Sequence, residues 1–522
     1  MHTEKSGNIL KNVRLSAAIS PLRVGLPMLA YLFLYPIIIK RSGIKVLGLW
    51  SIIATLSTYM SLADVGFSSL FIRSVSSARS AKEFSLIARE HTSAARFYWL
   101  ITFLMLLVWA GTGQVIISKM GCASIYPPTA LFVAVATYIA GTGVSITAQL
   151  DAAIINGAHK TYTIQIIDSF SPIILYGVAI FGAVSSKPIE GFAMGSLLAA
   201  LYQIIAYRFQ LNRTFPGWQK KVSKPSFYET IQICRGLMCR GINFYTISLA
   251  FILREPIFRI AIASTIGFTA AGTYEVASRI PAAIRQFFVA GSLSLFPSFS
   301  YYHKHKLIPE MFNLIRDFLM IFVAFAGMAL LTYAICADAI FKLWLPYVPH
   351  NLVISTRIMT LFWGMTILNI PFWYLLQAIG QEKVAARSLL YHTCATLLIF
   401  PLAIFLNFSL QAILWYWLFS AIITQISIYY AAQHTLEALG PTIFSRPFMI
   451  LVIKFLVIII FLAALSPQLY IYGLAGWTKI FAVTSLAILF FLTLLLPQVL
   501  SIIKRVWLYD RTPNTDSLPE PE

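Results

Sequence analysis

Residues 97–118 read FYWLITFLMLLVWAGTGQVIIS, twenty-two positions without Asp, Glu, Lys, Arg or His. As a helix this stretch rises about 33 Å at 1.5 Å per residue, enough to cross a hydrocarbon core of about 30 Å. Basic residues stand on either side of it, Arg89 and Arg96 before and Lys119 after. The same alternation of apolar run and basic punctuation recurs along the chain. It predicts fourteen spans, at 21–39, 46–66, 97–118, 127–148, 163–184, 190–207, 241–264, 270–298, 317–337, 352–376, 388–407, 410–431, 447–466 and 478–503. No barrel-type alternation appears, and helices satisfy their own backbone in lipid, so the expected class is an all-α polytopic membrane protein. Composition agrees. The 522 residues are 59% hydrophobic and 11% charged, with a mean hydropathy of +0.78, whereas soluble domains run at about 45–50% apolar and 25% charged. A cytosolic enzyme, a secreted disulfide module and a disordered chain are excluded. The 14% aromatic content suits interfacial belts of Trp and Tyr.

The formal charge of +20 would suggest nucleic acid on a soluble domain, but most of the basic residues lie between apolar runs. Topology explains them better, and no nucleic-acid partner is expected. With the N-terminus in the cytosol, 25 of the 39 Lys and Arg fall in inside segments and 7 in outside ones. Inside segments carry the basic excess, so the expectation is N-in and C-in, with an even number of spans. The expected organisation is an N-lobe over 1–207 (six spans), a cytosolic connector over 208–240, a C-lobe over 241–432 (six spans), two additional spans over 433–504, and a disordered cytosolic tail over 505–522. Residues 1–20 are polar and basic and lead into a span-length run with no small-residue cleavage site, so no cleavable signal is expected. The five cysteines are scattered, odd in number and without metal-ligand spacing, which argues against a disulfide framework or zinc. No phosphate-binding G-x-x-x-x-G-K-[ST] run occurs.

One internal similarity stands out. Residues 43–50, GIKVLGLW, and 267–274, GFTAAGTY, both read G-x4-G-x-aromatic. Each follows the first span of a proposed lobe and opens the second, so the two lobes are expected to be repeats.

The stretch from Gly48 to Ser76, GLWSIIATLSTYMSLADVGFSSLFIRSVS, resembles the second-helix signature of the bacterial polysaccharide (O-antigen and exopolysaccharide) flippases. In that family Gly-x-Trp/Tyr opens the helix and a Leu-x-Asp-x-Gly-hydroxyl run closes it. Residues 272–300, GTYEVASRIPAAIRQFFVAGSLSLFPSFS, resemble the eighth-helix signature, and FKLWLPY (341–347) and LQAIGQEK (376–383) match two later landmarks. These flippases belong to the multidrug/oligosaccharidyl-lipid/polysaccharide (MATE-like) exporter superfamily. The resemblance implies two six-helix lobes around a central cavity, alternating access, and residence in the bacterial cytoplasmic (inner) membrane. It implies a substrate too: a polyprenyl-pyrophosphate-linked oligosaccharide, moved from the inner to the outer leaflet for surface polysaccharide synthesis. Membrane lipids, a polysaccharide polymerase and chain-length machinery are the partners to consider. The alternatives are an ion-coupled drug or metabolite cation antiporter of the same superfamily and, less in keeping with the short outside loops, a membrane glycosyltransferase or polymerase.

Among the charged residues within or at the edges of spans, eleven are singled out: Arg23, Arg254, Arg259, Arg279, Arg285, Arg357, Lys454, Asp64, Asp168, Glu255 and Glu275. An ionised side chain at mid-bilayer costs at least about 2.5–3.5 kcal/mol, so these groups should face water, pair, or snorkel. Glu255 and Arg259 stand at i, i+4, as do Glu275 and Arg279, with the acid first, the favourable order. Neither Arg254 nor Arg285 has an acid at that spacing, and Arg285 lies about 240° around the helix from Arg279 at 100° per residue. The functional reading makes Arg23, Arg254, Arg279 and Arg285 a cationic cavity for pyrophosphate or an acidic sugar, a task that suits the guanidinium fork. The competing reading has these charges bridge helices, with Arg23 as an interfacial anchor. Glu255, Glu275 and Asp168 are the candidates for coupling to a proton or sodium gradient. Asp64 and Gly66 are read as a helix end, Pro36 and Pro281 as hinges, and His392 as a core histidine. No catalytic residue, metal site or cofactor is expected.

Overall fold

The structure, a computed structural model, describes residues 2–61, 66–77, 81–158, 160–216, 225–292, 295–437, 476–490, 496 and 500. Span thirteen (447–466), the tail over 505–522, Asp64 and Lys454 lie outside the described residues.

Seventeen helices follow in order among the described residues: α1 His2–Ser42, α2 Ile44–Ser61, α3 Phe67–Ser77, α4 Ala81–Lys119, α5 Pro128–Gly157, α6 Thr161–Val184, α7 Pro188–Thr214, α8 Phe227–Thr265, α9 Phe268–Gly291, α10 Leu295–Lys304, α11 Ile308–Phe322, α12 Met328–Trp344, α13 Leu352–Leu368, α14 Ile370–Ala378, α15 Glu382–Phe405, α16 Leu410–Glu437 and α17 Trp477–Phe490. A π turn at Val323–Gly327 joins α11 to α12, and no strand occurs among the described residues. Nine helices there are long and apolar enough to cross a membrane. The protein is an all-α polytopic membrane protein.

The chain divides into two compact units. The first comprises Met1–Gly291, Trp344–Ser355 and Ala386–Ser420. Within it α7 packs on α5 and α6, α6 on α1, and α2 on α9. Small residues allow these approaches: a Cβ on Gly141 of α5 would lie 2.9 Å from the Leu197 backbone of α7, the close contact that glycines permit between membrane helices. Phe67, Phe71, Tyr98, Ile154, Ile155 and Tyr207 fill one buried cluster of this unit. The second unit comprises Ser292–Leu343, Thr356–Ala385 and Ala421–Glu522. Its core gathers Phe299, Met311, Ile315, Leu319, Leu375 and Leu376 where α10, α11 and α14 meet.

The repeat motif is built the same way twice. Gly43 takes φ +81° and ends α1, and Gly267 takes φ +108° and ends α8, a left-handed conformation open to glycine because it has no Cβ. The Gly43 N–H returns to the carbonyls of Ile38 and Ile39, and the Gly267 N–H to Ile262, each at 3.2 Å, so both helix ends satisfy their last carbonyls. The second glycines then meet. A Cβ on Gly48 would strike the Phe268 carbonyl and lie 2.8 Å from the Gly272 nitrogen. A Cβ on Gly272 would strike the Ile44 carbonyl and lie 3.2 Å from the Gly48 nitrogen. The contact is reciprocal, as a two-fold relation between the motifs requires. The motif aromatics diverge: Trp50 stacks on Phe192 at 4.1 Å, while Tyr274 stands edge-on to Phe258 at 5.4 Å.

Three expected segments are cut differently. Span 46–66 is helical as far as Ser61, residues 62–65 lie outside the described residues, and α3 starts after Gly66 at φ +81°. Span 270–298 ends at Gly291, and α10 begins at Leu295 with Pro297 in its first turn, where the missing N–H would have no partner anyway. The connector is helical from Phe227, where Ser226 accepts from the Glu229 N–H at 3.2 Å and the Glu229 carboxylate accepts from the Ser226 N–H at 2.8 Å, a capping box. Those bonds and Arg89 hold the Glu229 carboxyl below its usual range, so the cap persists from the ordinary carboxylate pKa upward and loosens as pH falls through the lowered value. Pro36 lies within α1 and Pro281 within α9, both in unbroken helix.

The glycine crossing makes a test. Gly48→Ala should destabilise the protein by about 1–3 kcal/mol, as overpacking does, and Gly272→Ala similarly. Gly25→Ala and Gly177→Ala, where a Cβ meets nothing within 4 Å, should leave the midpoint of thermal unfolding in lipid nanodiscs unchanged.

Candidate functional site

The in-span charges collect where α8, α9 and α1 meet. Arg259 of α8 pairs with Glu255 one turn earlier, at 2.7 Å, and with Glu275 of α9 at 3.4 Å. Glu275 also pairs with Arg279 one turn on. Tyr35 of α1 donates to Glu275 at 2.9 Å and accepts from Arg279 Nε at 2.8 Å. The Arg279 guanidinium sits 3.9 Å from the centre of the Tyr31 ring, a cation–π contact, and the Tyr31 hydroxyl meets that of Tyr176 on α6. Both expected i, i+4 pairs are present, and a link between helices joins them. Glu275 is 3% exposed and held by three partners.

Arg254 lies in the field of Glu255 and of Arg285. Both arginines are half-buried, and each guanidinium lies within the electrostatic reach of the other. Arg254 Nε is buried without a hydrogen-bond partner among the described residues. His392 lies within reach of the Arg254 charge. Its Nδ1 is 3.0 Å from the Ser420 hydroxyl and its ring is parallel to Trp417. From Arg254 onward α8 and the whole of α9 bring Arg254, Arg259, Arg279 and Arg285 together with Glu255 and Glu275, a surplus of two positive charges.

The remaining predicted residues fall at a second cluster on α1, α6 and α7. Asp168 pairs with Arg23 at 3.2 Å and accepts from Tyr207 and, at 3.3 Å, from Gln203. The Arg23 side chain is 57% exposed, so its head reaches from solvent or interface to a buried acid. Arg23 to Asp168 and Tyr31 to Tyr176 are contacts eight residues apart on each helix, so α1 and α6 run parallel, as the first and fifth spans of an alternating chain must. Arg357 is exposed and donates to the Ala334 carbonyl at 3.3 Å. Among the described residues no three His, Cys, Asp or Glu approach closely enough for a metal ion.

Sequence reading missed one buried group. His91 Nε2 of α4 lies 2.8 Å from Asp151 Oδ1 of α5, with Arg208 of α7 at 3.5 Å from the other oxygen. Hydropathy windows placed all three beyond span ends. The available signal was Asp151 itself, the sole acid in the otherwise apolar and small-residue run VSITAQLDAAIING.

No protein-family model matches the chain, and neither does any curated protein. Solved structures do. A lipid II flippase, MurJ, in an inward closed conformation superposes with a TM-score of 0.61 over 96% of this chain and 99% of that one, at 12% identity. A multidrug resistance MATE family transporter of the MOP superfamily, inward-facing, gives 0.58 over 80% and 98%, at 14% identity. The chain has the fold of the MOP-superfamily transporters. A third member, from Pyrococcus furiosus and described as having a binding pocket of reverse polarity, gives 0.55 over 83% and 97%, at 12% identity.

The charge chain predicts an asymmetric cost. Glu275→Gln takes the acid from Arg279 and leaves Arg259 with Glu255 alone, and it should destabilise by about 3–5 kcal/mol, the range for breaking a buried pair. Adding Arg279→Gln to it should restore part of the loss, and a double-mutant cycle on thermal unfolding in nanodiscs reads the coupling.

Proposed function

We propose that the protein is a flippase for a polyprenyl-pyrophosphate-linked oligosaccharide repeat unit. The observation that carries this reading is the surplus of positive charge on α9 and the part of α8 from Arg254 onward. Glu255 and Glu275 pair with Arg259 and Arg279, and this reading assigns Arg254 and Arg285, which lie in each other's field, to a pyrophosphate. An arginine fork binds phosphate oxygens through charge-assisted hydrogen bonds. Arg23, exposed and at the start of the apolar run within α1, extends positive potential toward the cytosolic side under the N-in topology. The fold shared with a lipid II flippase supports a lipid-linked cargo, its polyprenol remaining in the bilayer while the head crosses by alternating access between two six-helix lobes.

In this reading the protein resides in the bacterial inner membrane, N-in and C-in, and serves surface polysaccharide synthesis beside a polymerase. The crossing of α2 and α9 at Gly48 and Gly272 then lies at the outer end, so the form described is closed outward. Glu275, Glu255 and Asp168 remain the candidate groups for proton or sodium coupling, each already in contact with an arginine whose departure would expose it. A cation antiporter would call for an acidic lumen, the opposite of the charge balance on these helices.

Two measurements test the proposal. Binding of a polyprenyl pyrophosphate to the purified protein should weaken about ten- to a hundred-fold for Arg254→Gln or Arg285→Gln, the range of one charged hydrogen bond. In producing cells Arg285→Glu should abolish surface polymer and leave the lipid-linked repeat unit in the inner leaflet. Normal export by Arg285→Glu at normal protein level, or binding unchanged by both glutamine substitutions, would overturn the assignment.

A further inference from the structure

A crevice opens between α4 and α8, away from the arginine–glutamate chain. It encloses about 400 Å³ and is lined by Arg96, Phe97, Leu100, Ile231, Arg235 and Met238 among others, within the size range of small-ligand pockets. Its level in the bilayer follows from the sequence. Arg96 is the last charged residue before the apolar run that begins at Phe97, and on α8 Arg235 and Arg240 precede the apolar run from 241. The crevice therefore sits where hydrocarbon meets headgroups. Its apolar wall is not covered by protein: Leu100 is 42% exposed, Ile231 51% and Phe227 71%.

The charges around it are unbalanced. The two nearby acids are taken, Glu229 by Arg89 at 3.0 Å and Glu90 by Arg240 at 2.6 Å. Arg96 and Arg235 are both exposed. Arg96 donates through one nitrogen to the Pro225 carbonyl and, at 3.5 Å, to the Thr230 hydroxyl, which leaves donors of its five N–H groups for another acceptor. An apolar slot at the interface with two arginines at its polar rim is complementary to one kind of molecule.

We propose that this crevice binds an anionic phospholipid of the inner leaflet, its acyl chain along Phe97, Leu100, Ile231 and Met238 and its phosphate on Arg96 and Arg235. The lipid would bridge α4 to the helix that carries Arg254, Glu255 and Arg259. The proposal is independent of the transported substrate.

Native mass spectrometry of the purified protein, titrated with phosphatidylglycerol or with phosphatidylcholine of the same chains, tests it. Phosphatidylglycerol should be retained preferentially. Each of Arg96→Gln and Arg235→Gln should lower its affinity about five-fold, the effect of one basic residue near an anionic headgroup. Ile231→Trp, which fills the slot and leaves both charges, should also displace it. Equal retention of the two lipids, or affinity unchanged by both arginine substitutions, would overturn the proposal. So would full displacement of phosphatidylglycerol by equimolar polyprenyl phosphate, which would give the crevice to the cargo's tail instead.

Discussion

The Glu275 carboxylate is the constraint on which the interior of the first unit depends. It is almost fully buried and carries a charge that low-dielectric surroundings make expensive. It is tolerated because Arg259, Arg279 and Tyr35 converge on it from α8, α9 and α1. The converse matters as much: two guanidiniums are held inside the bundle because one carboxylate serves both. Tyr35 closes the set by donating to the acid and accepting from the base. Tyr31 gives Arg279 an aromatic face, which a hydrated point charge such as lysine would use less well. An apolar replacement of the whole group would cost little in stability, so its presence points to a need for charge at this place.

The glycine crossing and the charge chain are one piece of geometry. Gly272, Glu275 and Arg279 stand at i, i+3 and i+7 on α9, within an arc of about 60° on a helix of 100° per residue. The face that must approach α2 through a bare backbone is thus the face that presents the carboxylate to α1. A side chain at Gly48 or Gly272 would move α9 away from α2 and, with it, Glu275 away from Tyr35. The first glycine of each motif acts a step earlier. Gly43 and Gly267 turn the chain sharply at helix ends, which sets the angle at which α2 and α9 begin.

Much of this was legible in the sequence, for reasons that can be named. Helices of span length are a bulk property of composition, so α4, α5, α6 and α7 could be read from apolar windows alone. The pairs Glu255–Arg259 and Glu275–Arg279 follow from helical spacing, which is local. The G-x4-G motif announced a repeat, but not that its second glycines would touch each other, because contact across 224 residues of chain leaves no local mark. For the same reason the bond from Arg259 to Glu275, the pairing of Arg23 with Asp168, and the His91–Asp151–Arg208 group were out of reach. In each case the partner stands on a different helix. Asp168 illustrates the limit: its neighbours in sequence are serines, while its partners in space are Arg23, Gln203 and Tyr207. The turn at Gly66 and the break after Gly291 escaped the windows because glycine and serine are neutral on a hydropathy scale yet decisive for backbone conformation.

The arginines within the spans of α8 and α9 divide by the company they keep. An ionised group at mid-bilayer costs at least about 2.5–3.5 kcal/mol, and Arg259 and Arg279 offset that cost by pairing with Glu255 and Glu275 across one turn and between helices. Arg254 and Arg285 lie in each other's field, where the proximity of like charges adds to the cost. Helix bridging explains Arg259 and Arg279 more readily than it explains placing two like charges together. Arg279, which the sequence placed both in an i, i+4 pair and among the candidate cavity cations, is met by Glu275, Tyr35 and Tyr31. In the proposed reading the selective element is the pair Arg254 and Arg285, whose sign is what an anionic head moving through the bilayer would require.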